Sequence, residues 1–539
     1  MKKLLTYILP FIFYSLVLQA QPTQEWFKRY SFESGYNHNV VDMVLDAQGN
    51  SYTMGYIKYN NDYQDLFLIK YLDDGSLSWA RKYSGGDSTK IIPVALIIDK
   101  SGNVIAGTSI LDIRNDRVSQ DFLTFKYNPY GDTIWSRRYN YVSDTSVHYR
   151  YSIPGKPCVD NSNNIYVSGT SPAGYLTYIM TTVKYDENGN IIRVIYRNGG
   201  GGPVINDQYD NVYNAGGSYN GQNSYKFDSS GNQVWSSRDT IFSTYKILLD
   251  KQNNYYLGGQ YFNPTTFNDL ALLKYDSDGN RKWLRTYGQI SNSHNDDFID
   301  MICDTLGNVY VSGVSAHLNQ IGWDYTTIKY NGNGDTLWVR IFNPVLASDD
   351  KANSIDVDKS GNVFVTGRSN YNLLGSKVAT VIYNSIGQQK YVLTYDNNLP
   401  YGNHEGIKVK VNSKGSFIVA GNSMNNSGIY DVVIIKYSPV TGIQNISNVV
   451  PYNFMLYQNF PNPFNSTTKI KYQISKLSNI QLIVFDVLGR ELTALVNERQ
   501  NPGKYEVNLD CFSYSSGMYF YRLVSEGNII DTKKFVLIK

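Results

Sequence analysis

The chain has 539 residues, too long for one ordinary core, because single cores stop growing at roughly 250–300 residues. Aromatic residues make up 14% and charged residues 18%, and so many aromatics exclude a disordered chain. A net charge of +3 gives no electrostatic case for nucleic acid, and three cysteines are too few for a disulfide scaffold.

Met1-Lys2-Lys3 opens with positive charge, Leu4 to Leu18 is almost wholly apolar, and Gln19 to Pro22 turns polar around the small Ala20. This layout predicts a signal peptide over residues 1–20, cut between Ala20 and Gln21, because the apolar run falls short of the ~20 residues of a membrane helix. No later stretch reaches spanning length, so no transmembrane segment is expected once the signal is removed. No Cys follows the cut, which argues against a lipid anchor.

One string then recurs: an acidic residue, a short turn, Asn, an apolar run and Gly. It starts at Asp46, Asp99, Asp160, Asp207, Asp250, Asp304 and Asp358, with a weaker copy at Asn412. Seven intervals span 366 residues, about 52 each. Units of this size with several strands are the mark of propeller blades. Four strands fit each unit. The first precedes the acidic residue, as in Val40–Leu45, Phe298–Cys303 and Ser354–Val357, and the second follows the Asn. The third ends in Lys-Tyr, as in Lys70-Tyr71, Lys126-Tyr127 and Lys274-Tyr275, and is apolar at consecutive positions, which predicts burial on both faces. The fourth carries a Trp four residues after a turn Gly: Trp79, Trp135, Trp235, Trp283 and Trp338, with Arg193 and Tyr391 in that place in two units. The eighth unit stops at Tyr437 without a Trp strand. That strand is found instead at Trp26–Tyr30, so the N-terminal segment is expected to complete the last blade and close a ring, removing exposed sheet edges. Seven blades plus an odd unit is the alternative count.

These units resemble the secreted bacterial β-propeller repeats termed SBBP, over roughly residues 25–440. Counted with the closing strand, the units make an eight-bladed β-propeller of four-stranded blades; the resemblance implies the propeller fold and says little about activity, since propellers host many functions.

After a linker at 441–452, residues 453–539 hold six strand-like segments: Lys469–Ile474, Ile480–Val487, Glu491–Val496, Tyr505–Leu509, Met518–Val524 and Lys533–Ile538. Turn residues separate them, which suggests a small Ig-like β-sandwich of about seven strands. Leu492–Val496 reads equally well as helix on propensity. The segment resembles the type A sorting domain of the type IX secretion system. The resemblance rests on the opening around Pro461, Asn462, Pro463 and Phe464, the strand and turn ending at Gly489-Arg490, the strand from Gly517, and the closing run from Lys533-Lys534. It implies a Gram-negative cargo, secreted or held at the outer surface, with the type IX machinery as partner and lipopolysaccharide as a possible attachment.

No P-loop, GxGxxG, GxSxG or zincin motif occurs, so neither cofactor nor metal is expected and no catalytic residue is assigned. The repeated acidic residues are read as turn caps. Cys158, Cys303 and Cys511 read as small apolar residues. The second-to-third and fourth-to-first connections vary, whereas the hairpins are uniform. His38, His148, His294, His317 and His404 all map to the variable face, with Trp323. Variable loops on a rigid scaffold usually carry function, so His38, His294, His317, Trp323 and His404 are the ligand-binding candidates. The expectation is a non-catalytic binding or adhesion module for a glycan or protein. An extracellular polysaccharide lyase or hydrolase, or a structural envelope scaffold, is the alternative.

Overall fold

The computed structural model describes residues 22–538 except 60–62, 87–88, 115–116, 142–148, 175–176, 219–220, 240–241, 264–266, 289–295, 317–321, 345–347, 371–374, 400, 440–442, 448–450, 466, 501 and 512–513. Every regular element among the described residues is a strand, and no helix there is long and apolar enough to cross a membrane. The chain divides into two compact units: one spans Gln24–Ser438, and the other includes Pro439–Lys539.

The first unit is a succession of antiparallel sheets whose strands lie side by side in chain order. Asp297–Cys303, Val309–Ala316, Trp323–Tyr330 and Thr336–Phe342 form one, and Asp350–Val357, Val363–Asn370, Ser376–Tyr383 and Gln389–Tyr395 form another. The segments Val204–Asp239 and Phe242–Tyr287 repeat this pattern. Asn37–Tyr83 and Thr89–Tyr139 are two such sets joined by a single parallel bridge, Gln64↔Lys90. In Ile153–Asn198 the first strand is split into Ile153–Pro154 and Cys158–Val159. The last sheet draws on both ends of the unit. His404–Val411, Phe417–Met424 and Tyr430–Tyr437 are joined by Gln24–Tyr30, paired antiparallel from Trp26↔Lys436 to Tyr30↔Val432. The third strands Gln64–Tyr71, Trp323–Tyr330 and Tyr430–Tyr437 are buried along nearly their whole length, whereas Gly221–Phe227, which lacks an apolar run, is only half buried; a fourth strand such as Leu77–Tyr83 is half open. This sheet succession is that of a propeller.

The repeat residues are explained by what they hold. In each first hairpin one oxygen of the acidic side chain accepts two backbone N–H bonds, for example from Gln48 and Asn50 to Asp46 at 3.0 and 2.9 Å. The other oxygen accepts the Asn50 amide and the Tyr52 hydroxyl. The same Tyr bond recurs at Tyr213–Asp207, Tyr256–Asp250 and Tyr310–Asp304. The third-strand Lys lies over that Tyr ring, with Lys70 4.8 Å from the Tyr52 centroid and Lys274 5.0 Å from that of Tyr256. Its ammonium then crosses to the neighbouring sheet. Lys70 Nζ and Trp79 Nε1 both donate to Pro129 O, at 2.9 and 3.0 Å. Lys126 and Trp135 share Glu187 O, Lys226 and Trp235 share Ser277 O, Lys274 and Trp283 share Gly332 O, and Lys329 and Trp338 share Ser385 O. The sixth clasp is built from the two ends of the unit: Lys436 Nζ and Trp26 Nε1 both donate to Asp73 O, at 2.8 and 3.0 Å.

The indole lies flat on the turn glycine of the next sheet. A Cβ on Gly131 would stand 2.6 Å from Trp79, and one on Gly75, Gly279, Gly334 or Gly387 2.7–2.8 Å from Trp26, Trp235, Trp283 or Trp338. The two sequence departures have structural reasons. Arg193 takes the place of the indole over Gly231, and a small crevice lined by Tyr166, Lys184, Arg193 and Phe227 opens there. Tyr391 faces the last sheet, whose third and fourth strands come from opposite ends of the unit and share no turn on which a Trp could rest.

In the second unit two antiparallel four-stranded sheets share one core. Ile443–Ser447, Gly503–Asp510, Thr467–Ile474 and Met455–Leu456 form one, and Glu491–Gln500, Ser478–Phe485, Gly517–Ser525 and Asn528–Leu537 the other. Ile470, Tyr472, Val507 and Leu509 of the first meet Leu482, Val484, Leu523 and Phe535 of the second. Leu492–Val496 lies within a strand, where pairing with Ser478–Phe485 overrides helix propensity.

Candidate functional site

Charged side chains from six sheets of the first unit converge at its innermost strands. Four residues before each repeat's acidic turn residue (Asn412 in the last repeat) stand Asp42, Ala95, Lys246, Asp300, Ser354 and Lys408 within the first strands, Lys156 between the two pieces of its split strand, and Pro203 just before its strand. In six of the sheets this position closes a β-bulge, as between Val40 and Asp42, Phe298 and Asp300, or Gly406 and Lys408. A bulge re-aims the side chain that follows it. Lys408 Nζ stands 3.4 Å from Asp42 and 3.8 Å from Asp300, and Lys246 pairs with Asp300. Lys410 stands 3.7 Å from Asp356. Each carboxylate also accepts a backbone N–H from the next sheet: Leu96 to Asp42 at 2.9 Å, Ile355 to Asp300 at 3.4 Å and Val411 to Asp356 at 2.9 Å.

The electrostatics follow from this crowding. Burial alone would raise Asp42, but Lys408, Lys156 and the Leu96 N–H hold its carboxyl below the usual range. Burial lowers Lys246 well below an ordinary lysine, and Lys408, Lys156 and Lys410 add to the effect. Lys156 is lowered in the same way, with Lys410 and Lys408 as its like-charged neighbours. The Lys156 side chain is exposed and that of Lys246 is 30% accessible, so water reaches both. The ion pairs of the cluster compensate one another. A single charge in an apolar strand is no signal by itself, although its fixed offset from the turn residue is legible in the sequence.

The candidates on the variable face separate. His38 is fully buried, its Nε2 accepts the Phe32 N–H at 3.0 Å, and its ring stacks on Phe32. His404 is buried too, with Nδ1 2.8 Å from Ser423 Oγ, and burial pushes its pKa down to about 4. Both rings serve the packing of the loops that enter the first strands. Trp323 is half-buried, and its backbone N–H donates to Asp349 at 3.2 Å. Next to it Asp324 is buried, and burial together with Asp350 pushes its carboxyl up to about 7. His148, His294 and His317, and the cleavage residues Ala20 and Gln21, lie outside the described residues. Of the cysteines, Cys158 and Cys511 are buried, Cys303 is partly so, and all three are free.

The second unit brings the two ends of its signature together. Asn459 is buried, donates its N–H to Tyr521 Oη at 2.7 Å, and its amide reaches Pro461 O and Thr468 Oγ1. Asn462 Oδ1 accepts the Val536 N–H at 2.9 Å and Gln458 donates to Lys534 O at 2.7 Å, so the opening motif is fastened to the last strand. Phe464 is buried against Phe535, while Phe460 is 80% exposed beside the exposed Pro461 and Pro463. Gly489, with φ +76, turns the hairpin below Arg490, whose guanidinium holds Asp486 at 2.7 Å. Gly517 opens a strand whose Tyr521 and Leu523 enter the core, and Lys533 pairs with Asp531 at 3.0 Å.

Comparison with known proteins agrees with both units. Residues 458–539 match the secretion system C-terminal sorting domain, and residues 337–375 match the beta-propeller repeat SBBP. No curated protein matches the chain in sequence. Among solved structures, the Dos1 propeller aligns over 77% of this chain and 96% of its own at 10% identity, with a TM-score of 0.46. The propeller domain of the Trilobed protease from Pyrococcus furiosus aligns over 65% and 95% at 9% identity (TM-score 0.38). A protein of unknown function from Dyadobacter fermentans aligns over 78% and 99% at 9% identity (TM-score 0.36). The chain therefore combines SBBP beta-propeller repeats with a C-terminal sorting domain of the type IX secretion system, which directs it to the cell surface or out of the cell.

Proposed function

We propose that the exported protein is a closed eight-bladed propeller acting as a non-catalytic binding module, carried by an Ig-like sorting domain. The observation that carries the closed ring is the junction of Gln24–Tyr30 and Tyr430–Tyr437 with the first sheet. Trp26, Lys436, Asp73 O and Gly75 repeat there the clasp found between the other sheets. The packing at that junction supports it as well: Val40, Met43 and Phe67 share a core with Ile418, Val432 and Ile434, and Asn422 Oδ1 accepts the Val40 N–H at 2.8 Å. Counting the sets Asn37–Tyr83 and Thr89–Tyr139 separately gives eight blades.

The binding reading rests on the contrast between uniform hairpins and variable connections. Trp323 lies at the start of a third strand on the variable face, where an indole suits stacking on a sugar ring or peptide. Of the histidine candidates, His294 and His317 lie outside the described residues and stay in the proposal on the sequence reading alone. A glycan array on the secreted mature protein, with the triple replacement of His294, His317 and Trp323 by Ala, tests this. Glycan binding by the wild type that the triple variant loses supports the reading. No glycan binding by the wild type overturns the lectin-like form and leaves the protein-ligand, scaffold or enzyme readings. The sorting domain engages the type IX machinery, and attachment to lipopolysaccharide after export is part of the same proposal.

A further inference from the structure

We propose that the Phe460 ring, flanked by Pro461 and Pro463, is the contact by which the type IX machinery takes hold of the sorting domain, seated in an apolar recess of a protein of that machinery. The proposal rests on the reading of the second unit as a sorting domain and names the surface that is read.

The opening motif divides its side chains between two tasks. Asn459 is buried, and its N–H and amide are spent on Tyr521, Pro461 and Thr468. Asn462 Oδ1 accepts the Val536 N–H at 2.9 Å, and Phe464 packs against Phe535 with its own N–H on Val536 O at 3.2 Å. These three fasten the motif to the strand Asn528–Leu537. Phe460 takes no part in this. Its ring is 80% exposed and belongs neither to the core of the unit nor to the cluster of Phe464, Tyr519, Tyr521 and Phe535 rings.

The ring is displayed from a fixed backbone. Phe460 N–H donates to Lys469 O at 3.0 Å, and Lys469 N–H donates back to Phe460 O at 3.1 Å. A partner therefore meets the phenyl already in place and spends little ordering entropy on it. Exposed Pro461 and Pro463 extend the apolar surface, and exposed Gln458 and Lys534 border it with polar groups. An apolar patch with a polar rim marks an interaction site, and aromatic anchors carry much of the energy of such contacts. The occupant follows from the place of the patch. Residues 458–539 are the stretch that matches the sorting domain, whose partner is the secretion machinery. A label that is read must present side chains that its own fold does not consume, and Phe460 is the large apolar one of this motif.

The test measures the fraction of the full chain that leaves cells with working type IX machinery. Phe460→Ala and Phe460→Ser should lower that fraction at least about tenfold, the size of one lost aromatic anchor, with urea unfolding midpoints unchanged. Phe460→Trp should restore export. Leu488→Ala, which truncates an apolar residue of 75% exposure at the hairpin turn before Gly489, should export as wild type. Deleting residues 453–539 separates the two readings: export that survives the deletion overturns the sorting domain itself. Export lost on deletion but kept by Phe460→Ala overturns the role of Phe460 alone. So does an equal loss in Leu488→Ala, a fall in the Phe460→Ala midpoint, which would make the ring structural, or a change in its self-association with export intact, which would make the face a contact between copies.

Discussion

Replacing Gly131 by Asn separates two reasons for a turn glycine. The seven glycines of the fourth-strand turns, from Gly75 to Gly387, all have φ between +79 and +86, and the first-hairpin glycines share that conformation. In three first hairpins, however, the place of Gly is taken by Asn163, Asp210 and Asn253, at φ of 59 to 62. Left-handed backbone therefore admits Asn or Asp where nothing lies on it. At Gly131 a Cβ would meet the Trp79 ring at 2.6 Å, whereas at Gly102 the nearest atom is Pro129 Cγ at 3.6 Å. The same substitution at both sites imposes the same backbone change, so the difference isolates the indole contact. Displacing Trp79 forfeits its bond to Pro129 O, about 1 kcal/mol. Re-exposing a third of an indole that buries roughly 200 Å² adds about 1.7 kcal/mol at about 25 cal/mol/Å². Gly131→Asn should then cost about 2–3 kcal/mol more than Gly102→Asn in equilibrium urea unfolding. Gly231→Asn should fall near the cheap control, because the flexible Arg193 can move aside. Equal costs at Gly131 and Gly102 would refute the contact argument and leave only the backbone.

Two further outcomes follow from the same geometry. Trp26→Ala should cost about 2–3 kcal/mol, below the ~3–5 of a fully buried Trp because this ring is half open. It should match Trp338→Ala within a factor of two, and a cost under about 0.5 kcal/mol would mean that the ring is not clasped there. The contribution of His404 to stability should also decline with acidity between pH 6.5 and 4, while Asp324, pushed up to about 7, takes up a proton in the folded state and contributes the opposite slope. The unfolded chain protonates His404 near 6.5 and the folded chain only near 4, so in that window the unfolded state binds more protons. His38, also lowered by burial, adds to the slope. His404→Asn should raise the urea midpoint at pH 4.5 relative to that at pH 7.5, and an unchanged slope would count against a buried neutral ring.

The strands were readable because their signals are local: an acidic turn residue, a Lys-Tyr ending and a Trp at a fixed distance from Gly. Even the partner of Tyr430–Tyr437 could be found, since Trp26-to-Tyr30 repeats the spacing of the fourth strands. The reason for Lys and Trp could not, because both reach a carbonyl about fifty residues away in the next sheet. The inner charges fared worse. Asp42 or Lys246 alone is one polar residue in an apolar strand, and meaning comes only when six strands stand together. Residue type alone did not reveal burial: His38 and His404 enter the first strands, where both rings are buried.

The pairing of Arg29 with Asp431 at 2.9 Å joins residues 402 apart in the chain. Contacts of such separation form late, because closing a long loop costs entropy before it returns any contact, although the cost grows only slowly with length. Until residues 24–30 are in place, the buried side of Val432–Tyr437 is an open strand edge that can add a foreign strand. The N-terminal segment is thus the latch of a chain that completes its fold only when its far end has arrived. Export of a chain still lacking that latch would move it before its most rigid state exists.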